Sequence, residues 1–293
     1  MKTKTAFSLD WITATFPYPS DMKPEEYTFE RDPKVREVKS IGSYSDAVET
    51  DLLSVSWSPE HKRMRVMVRM TGRQLSDARK TGATDQSILA WFLQNGGRFT
   101  RLDFAVDLMH SEAQVTDLVL AWETDTMKTS AQSVTHIGGS TKDESTGDTV
   151  YVGSRTSERV IRAYEKGIQL GTGDDWIRVE IECKKKRAQQ MAMDMHESSV
   201  ASGGLSHMRS HIRETKLDWF EGIFSPEIEL FDIDKIGRPM TDKERWIFET
   251  CIPAIAEAVK RGMPGVLEAV QAIVNEADDR GKHGPSRVPR KDK

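Results

Sequence analysis

Hydrophobic and polar residues alternate over several short runs of this chain, the pattern of β-strands that bury one face. Residues 5–16 (TAFSLDWITATF) alternate and stop at Pro17-Tyr18-Pro19, which predicts a first strand ending in an extended turn. Leu52 to Trp57 and Arg63 to Thr71 are two further strand-like runs, joined by the turn-type segment SPEHK. In the second of them Met64, Val66, Val68 and Met70 share one face, and Arg63, Arg65, Met67 and Arg69 share the other. That arginine row suits a phosphate backbone or plain solvent equally well. Phe99 to Leu108 (FTRLDFAVDL) separates Leu102, Phe104, Val106 and Leu108 from Arg101, Asp103, Ala105 and Asp107. Thr149 to Glu182 reads as strand, turn, strand, turn, strand, and the rest of the chain is organised around it.

Helical periods occupy the intervals. Thr84 and Ser87 mark the start of a short buried helix through Gln94, which Asn95-Gly96-Gly97 ends. Ser111 to Trp122 and Lys184 to Met195 are the next two helix candidates. The second begins with Lys184 to Arg187, cations at the end where the helix dipole disfavours them, an arrangement that a bound phosphate would relieve. Residues 20–45 form a polar excursion with a short helix near Pro24 to Tyr27, and residues 123–148 are loop-like apart from Ser133 to Ile137. Residues 197–206 read as a hinge or loop. His207 and His211 stand at the i, i+4 spacing of a chelating pair, but no glutamate follows His207 as a zinc-protease motif requires, so they read as surface histidines. Thr241 with Glu244 opens a helical C-terminal stretch, and the tail RGKHGPSRVPRKDK is basic and disordered in composition.

The fold expected is α+β: a curved, mainly antiparallel sheet from two related strand-helix units, with helices on one side and a helical C-terminal extension. The repeat is suggested by the echo of Arg101-x-Asp103 in Arg178-x-Glu180. The boundaries expected are 1–232 for the main domain, 233–279 for the helical extension and 280–293 for the basic tail.

Composition narrows the class. A chain of 293 residues buries a substantial core. No run approaches the roughly 20 apolar residues that span a bilayer, and the N-terminus resembles a strand more than a signal peptide, so a soluble, cytoplasmic protein without membrane partners is expected. Its two cysteines, Cys183 and Cys251, have no metal or disulfide spacing. A net charge of −4 does not advertise nucleic-acid binding, but the cations are clustered, and distribution matters as much as number.

Chemistry concentrates on two strands. Val160, Arg162, Tyr164 and Lys166 share a face, so a phenol lies between two cations; Arg178, Glu180 and Glu182 share a face of the next strand. Nearby positive charge favours a phenolate nucleophile, and paired carboxylates suit a hard divalent cation that polarises a phosphate oxygen. The combination suggests phosphoryl transfer to tyrosine, although Arg-x-Tyr-x-Lys also occurs on ordinary wet strand faces.

The string TVYVGSRTSERVIRAYEKG followed by IRVEIE resembles the replication initiation factor (Rep_trans) family: rolling-circle initiators of small bacterial plasmids, replication proteins of some filamentous phages and relaxases of some conjugative transposons. The pattern is met by Tyr151 to Arg155, Arg162 to Lys166 and Arg178 to Glu180, with FTRLDFAVDL and Leu9-Asp10-Trp11 similar to upstream strands. The resemblance implies a metal-dependent, site-specific single-strand endonuclease and strand transferase acting in a bacterial cytoplasm. Tyr164 is then the nucleophile that becomes joined to a 5′ phosphate, with Tyr151 as the alternative. Lys166 and Arg162 stabilise the phenolate or the scissile phosphate. Asp103, Glu180, Asp107 and Glu182 are the implied ligands of Mg2+ or Mn2+; no His-x-His occurs, so a metal site is built largely from carboxylates. Arg155, Arg101, Arg178, Lys184, Lys185 and Lys186 are the candidate DNA contacts. The implied partners are origin DNA, as duplex or hairpin and single strand, host helicase and polymerase, and a second copy of the chain. The alternative is a non-catalytic DNA-binding regulator on the same scaffold, in which the tyrosine stacks on a base and the carboxylates balance arginines.

Overall fold

The computed structural model describes residues 3–16, 34–39, 43–58, 66–138, 147–224 and 227–233, together with 255, 257, 258, 261 and 265. The chain divides into two compact units, Met1–Asp234 and Lys235–Lys293. The helix near Pro24 to Tyr27, Arg63 and Arg65, Cys251, the Thr241–Glu244 cap and the basic tail lie outside the described residues, as does most of the C-terminal helical stretch.

The first unit is built on a ten-stranded antiparallel sheet. In chain order its strands are β1 (Lys4–Phe16), β2 (Arg36–Glu37), β3 (Asp46–Glu49), β4 (Ser54–Trp57), β5 (Val66–Met70), β6 (Arg98–Met109), β8 (Val134–Ile137), β9 (Thr149–Val152), β10 (Arg159–Glu165) and β11 (Trp176–Lys184); β7 (Met127–Thr129) pairs separately with β12 (Ile212–Thr215). The spatial order is β2-β3-β4-β5-β1-β6-β11-β10-β9-β8, which leaves the sheet open. The long strands β1, β6 and β11 occupy its middle. The Arg-x-Asp strand β6 and the Arg-x-Glu strand β11 are therefore direct neighbours, with Asp107 opposite Arg178 and Asp103 opposite Glu182. The architecture is the α+β, mainly antiparallel one that the alternation predicts.

One face of the middle strands is apolar, presenting Leu9, Ile12, Leu102, Phe104, Val106, Val179 and Ile181, all fully or almost fully buried. The helices α2 (Asp85–Gln94), α5 (Lys185–Glu197) and α6 (Val200–His211) supply its cover. Phe92 of α2 packs with Phe16 and Phe99, ring centroids 5.8 Å apart in each case. From α5 come Ala188, Met191, Ala192 and Met195, the inward stripe of an amphipathic helix. Among the described residues no helix is long and apolar enough to cross a membrane.

Local chemistry explains where elements differ from expectation. Residues 197–206 are not a hinge: Ser199 caps α6 by accepting from the Ser202 amide, and the helix continues through His211. Its Gly203-Gly204 pair costs helix propensity, about 1 kcal/mol per glycine. Close packing offsets it: a Cβ on Gly204 would lie 2.4 Å from the Phe104 ring, and one on Gly203 2.7 Å from the Met195 backbone. A second helix, α1 (Gly72–Lys80), hides in a polar run because only Gln74, Leu75 and Ala78 are buried. A Thr71–Gln74 capping box starts it. The helix expected from Ser111 starts later, as α3 (Asp117–Glu123), because the Ser111 hydroxyl accepts from the Ala113 amide in a turn instead of capping. Short helices α4 (Lys166–Gln169) and α7 (Asp218–Glu221) complete the described elements.

The two histidines are in the core and not on the surface. His207 is fully buried with Nε2 2.7 Å from Asp194 Oδ2. His211 has Nδ1 3.0 Å from Ser130 Oγ and Nε2 2.9 Å from the Val152 carbonyl oxygen. They take separate partners and do not form a chelating pair.

Two stability measurements follow from this packing. Gly204→Val places two methyl groups into the Phe104 ring and is expected to lower unfolding free energy by about 1–3 kcal/mol or more, read from urea midpoints; an unchanged midpoint contradicts the close contact. Burial pushes the His211 imidazole down to about 4. Its contribution is therefore intact above the unfolded value near 6.5 and is lost as pH falls toward 4, a loss of roughly 3 kcal/mol. Urea titrations at pH 7 and pH 4.5 should show a larger acid loss for the natural chain than for His211→Gln; equal losses would refute the buried neutral imidazole.

Candidate active site

The opposite face of the same strands carries the chemistry. Paired residues of neighbouring antiparallel strands point to one side, and three successive cross-strand rows can be traced. Trp11, Asp103 and Glu182 form the first. Ala105, Glu180, Arg162 and Tyr151 form the second, and Asp107, Arg178, Tyr164 and Thr149 the third. Sequence positions as distant as Asp10 and Arg178 meet here.

Tyr164 lies at the centre of the hydrogen bonding. Its hydroxyl donates to Glu180 Oε1 at 2.6 Å, and Lys166 Nζ is 3.5 Å from the phenolic oxygen itself. Arg162 holds the other oxygen of Glu180 through Nε at 3.1 Å and through Nη2, and its Cζ lies 4.8 Å from the centre of the Tyr164 ring. Arg178 grips Asp107 with two 2.7 Å bonds and reaches Asp10 Oδ1 at 2.6 Å. Trp176 Nε1 donates to the same Asp107 at 2.7 Å. Arg101 chelates Asp103 at 3.0 and 2.6 Å and pairs with Glu182 at 2.8 Å, while Lys184 takes the other Glu182 oxygen at 2.6 Å.

Burial sets the electrostatics. Tyr164 is 6 % exposed, and burial, with the negative charge of Glu180 second, raises its phenol above the usual range; Arg178 and Arg162 oppose this. The hydroxyl therefore stays protonated and donates. Cations at the strand do not make a standing phenolate, which corrects the expectation drawn from their spacing. Burial likewise pushes Asp103 up to about 7 against the pull of Arg101. Burial, with repulsion from Arg178, lowers Lys166. Cys183 lies fully buried on the apolar side, its thiol pushed up to about 12 by desolvation, so it is an inert core residue.

Tyr164, Arg162, Lys166, Asp103, Glu180, Asp107, Glu182, Arg101 and Arg178 all meet on one face. Strand β10 ends at Glu165, so Lys166 starts α4 instead of continuing the strand, yet its amine turns back to the phenol. Tyr151 stands one strand away, half-buried, with the Arg155 guanidinium 5.3 Å from its ring centre. Arg155 is exposed in the turn between β9 and β10, and its carbonyl accepts from Lys184 Nζ at 2.6 Å. Lys185 and Lys186 are exposed in the first turn of α5, Lys185 3.5 Å from Glu158. Arg101 and Arg178 are committed to carboxylates here and are not free cations. Asp10 and Trp176 escaped the sequence reading. A β-bulge between Leu9 and Trp11 inserts Asp10 out of the two-residue period, and a non-alternating residue gave no signal beyond its place in Leu9-Asp10-Trp11.

The carboxylates have the oxygen chemistry that Mg2+ or Mn2+ requires. In this arrangement each is held by a guanidinium or an amine, and among the described residues no three acidic, histidine or cysteine side chains are grouped to hold an ion.

The model of the replication initiation factor family matches residues 97–219, which include every row member from Arg101 to Lys184. No curated protein matches the chain. A solved rolling circle replication initiator protein from Geobacillus stearothermophilus superposes with a TM-score of 0.63 at 21% identity, over 79% of this chain and 99% of that one. Residues 97–219 thus match the replication initiation factor family, within a chain that has the fold of a rolling circle replication initiator.

Proposed function

We propose that the protein initiates rolling-circle replication by nicking one strand of an origin through Tyr164 and later rejoining it. The observation that carries this reading is the bond from the Tyr164 hydroxyl to Glu180, 2.6 Å long and backed by Arg162. A phenol with a raised pKa needs a base at the moment of attack, and Glu180 is in hydrogen-bond reach. The proton passes to Glu180 as the phenolic oxygen bonds to phosphorus. The phosphorus–O3′ bond breaks, the 3′ oxygen leaves with its electron pair and takes a proton from solvent, and the 5′ phosphate stays on Tyr164. Lys166, beside the phenolic oxygen, stabilises the negative charge that develops there. The phosphotyrosine keeps the bond energy, so attack by a 3′ hydroxyl reverses the step without a nucleotide cofactor.

The family resemblance implies Mg2+ or Mn2+. Asp103, Glu180 and Glu182, with Asp107, are the oxygen donors that would hold it, and a bound ion would polarise the scissile phosphate. Arg101, Arg162 and Arg178 are then the groups whose charge passes to DNA phosphate. Arg155, Lys184, Lys185 and Lys186, around the start of α5, supply backbone contacts at one end of the row. Origin DNA is the partner this surface suits; helicase, polymerase and a second copy of the chain remain implications of the family.

One observation favours a second reading. Every carboxylate of the face already balances an arginine or lysine, as a non-catalytic DNA-binding regulator would have it. A covalent adduct separates the two. With Mn2+ and labelled single strands tiling the origin of its own genetic element, the natural chain and Tyr151→Phe are expected to form a denaturation-resistant adduct that Tyr164→Phe lacks. Loss of the adduct only in Tyr151→Phe moves the nucleophile; origin binding with no adduct in any chain selects the regulator. Glu180→Gln should slow adduct formation by about 10²- to 10⁴-fold while origin affinity, measured by anisotropy, changes little; an unchanged rate removes Glu180 as the base.

A further inference from the structure

Trp11 stands in the first row of the polar face, opposite Asp103, yet it takes no part in the ion pairs. Strand β1 lies between β5 and β6, and a cation reaches the indole from each: the Cζ atoms of Arg69 and Arg101 are 5.6 and 4.6 Å from the ring centre. The indole N–H is satisfied by Thr13 Oγ1 at 2.8 Å, which fixes the ring. Burial of apolar area does not account for this position, because the neighbours Leu9 and Ile12 fill the core on the opposite face while Trp11 stays half-buried among charges.

The two arginines differ. Arg101 is bound to Asp103 and Glu182, whereas Arg69 has no carboxylate partner among the described residues. Arg69 makes a 3.5 Å contact from Nη2 to Ser54 Oγ, and its buried Nε has no hydrogen-bond partner. A rigid aromatic ring beside a guanidinium with no carboxylate partner among the described residues matches an unpaired base joined to a phosphate. Double-stranded DNA keeps its bases stacked on each other and offers no free π-face. From Trp11 to Tyr164 the sheet crosses three strand spacings and two rows, about 20 Å. A single strand whose phosphate reaches Tyr164 is long enough, within a few nucleotides, to extend to Trp11 along the row of cations.

We propose that Trp11 is a stacking platform for an unpaired base of single-stranded DNA, with Arg69 holding an adjoining phosphate. This rests on the initiator reading in taking single-stranded DNA as the substrate and Tyr164 as the point it reaches. Trp11 and Arg69 lie outside residues 97–219, so the family match assigns them nothing.

The test uses the full chain carrying Tyr164→Phe, so that no strand is cut, with oligothymidylate as the single-stranded probe and a mixed-sequence duplex as control. Trp11→Ala should weaken oligothymidylate binding by roughly 5- to 150-fold, the effect of about 1–3 kcal/mol for one stacked base, and leave duplex affinity within twofold. Trp11→Phe should keep most of the affinity but lose part of the tryptophan-fluorescence quenching that oligothymidylate causes. A structural role for the ring would not move that quenching. Equal weakening for single strand and duplex in Trp11→Ala overturns the proposal, as does unchanged quenching in Trp11→Phe, which also serves if Trp11→Ala fails to fold. If the natural chain forms the Tyr164 adduct but Trp11→Ala in the Tyr164→Phe chain binds oligothymidylate normally, this inference alone is lost; if the Tyr164→Phe chain binds no single strand, both are lost.

Discussion

Charge compensation on a buried polar face is the constraint on which the rest of the structure depends. Asp103, Asp107 and Glu180 are each under a tenth exposed, and an unpaired carboxylate at such a depth costs several kcal/mol. Every one is met by a guanidinium from its own strand, a neighbouring strand or both: Asp103 by Arg101, Asp107 by Arg178, Glu180 by Arg162. Because most of these bonds cross strands, they fix register from the polar side as firmly as Phe104 and Val179 fix it from the apolar side. A slip of one residue would send the carboxylates under the helices and the aliphatic residues into water.

The same pairing reconciles an acidic chain with a nucleic-acid reading. Coulomb attraction does not need net positive charge if the cations are held in a row by carboxylates that can exchange partners. A phosphate oxygen competes with a carboxylate for the same guanidinium fork in the same geometry. Each arginine that turns to DNA leaves a buried carboxylate seeking a cation, and under the proposed function a divalent ion fills that need. DNA and ion binding are then linked through Arg101 and Arg162. The raised positions of Asp103 and Tyr164 fit such an exchange, since burial first and neighbouring carboxylates second disfavour the charged form of each.

Much of this was legible because it depends on a two-residue period. The strands, the split of β6 and β11 into apolar and charged faces, and the gathering of Tyr164, Arg162 and Glu180 all follow from alternation. What was not legible depends on contacts between distant segments. Gly203-Gly204 reads as a hinge until Phe104 and Met195 are seen to occupy the space their side chains would need. His207 and His211 read as polar surface until Asp194, Ser130 and Val152 supply their buried partners. Asp10 is hidden by a bulge, and the run containing α1 is too polar for its narrow buried stripe to register. The spacing of Arg162, Tyr164 and Lys166 gave the neighbours of the phenol but not the burial and the Glu180 charge that outweigh the arginines, because spacing says nothing about depth.

Depth also bears on how the site can work. The side chains of the face project from the middle strands of a wide sheet, with α5 and α6 packed behind them, so their positions are set by backbone pairing and not by loops. Tyr164 and Lys166 are the partial exception. Tyr164 is the penultimate residue of β10, and Lys166 already belongs to α4, so the phenol is held by strand pairing on one side and by a short helical turn on the other. Under the proposed function, a nucleophile that receives a bulky phosphate, keeps it through a round of replication and then releases it needs a fixed starting geometry. The pairing of Tyr164 with Arg178 and Thr149 and its bond to Glu180 supply that geometry, at the junction of a central strand with a four-residue helix.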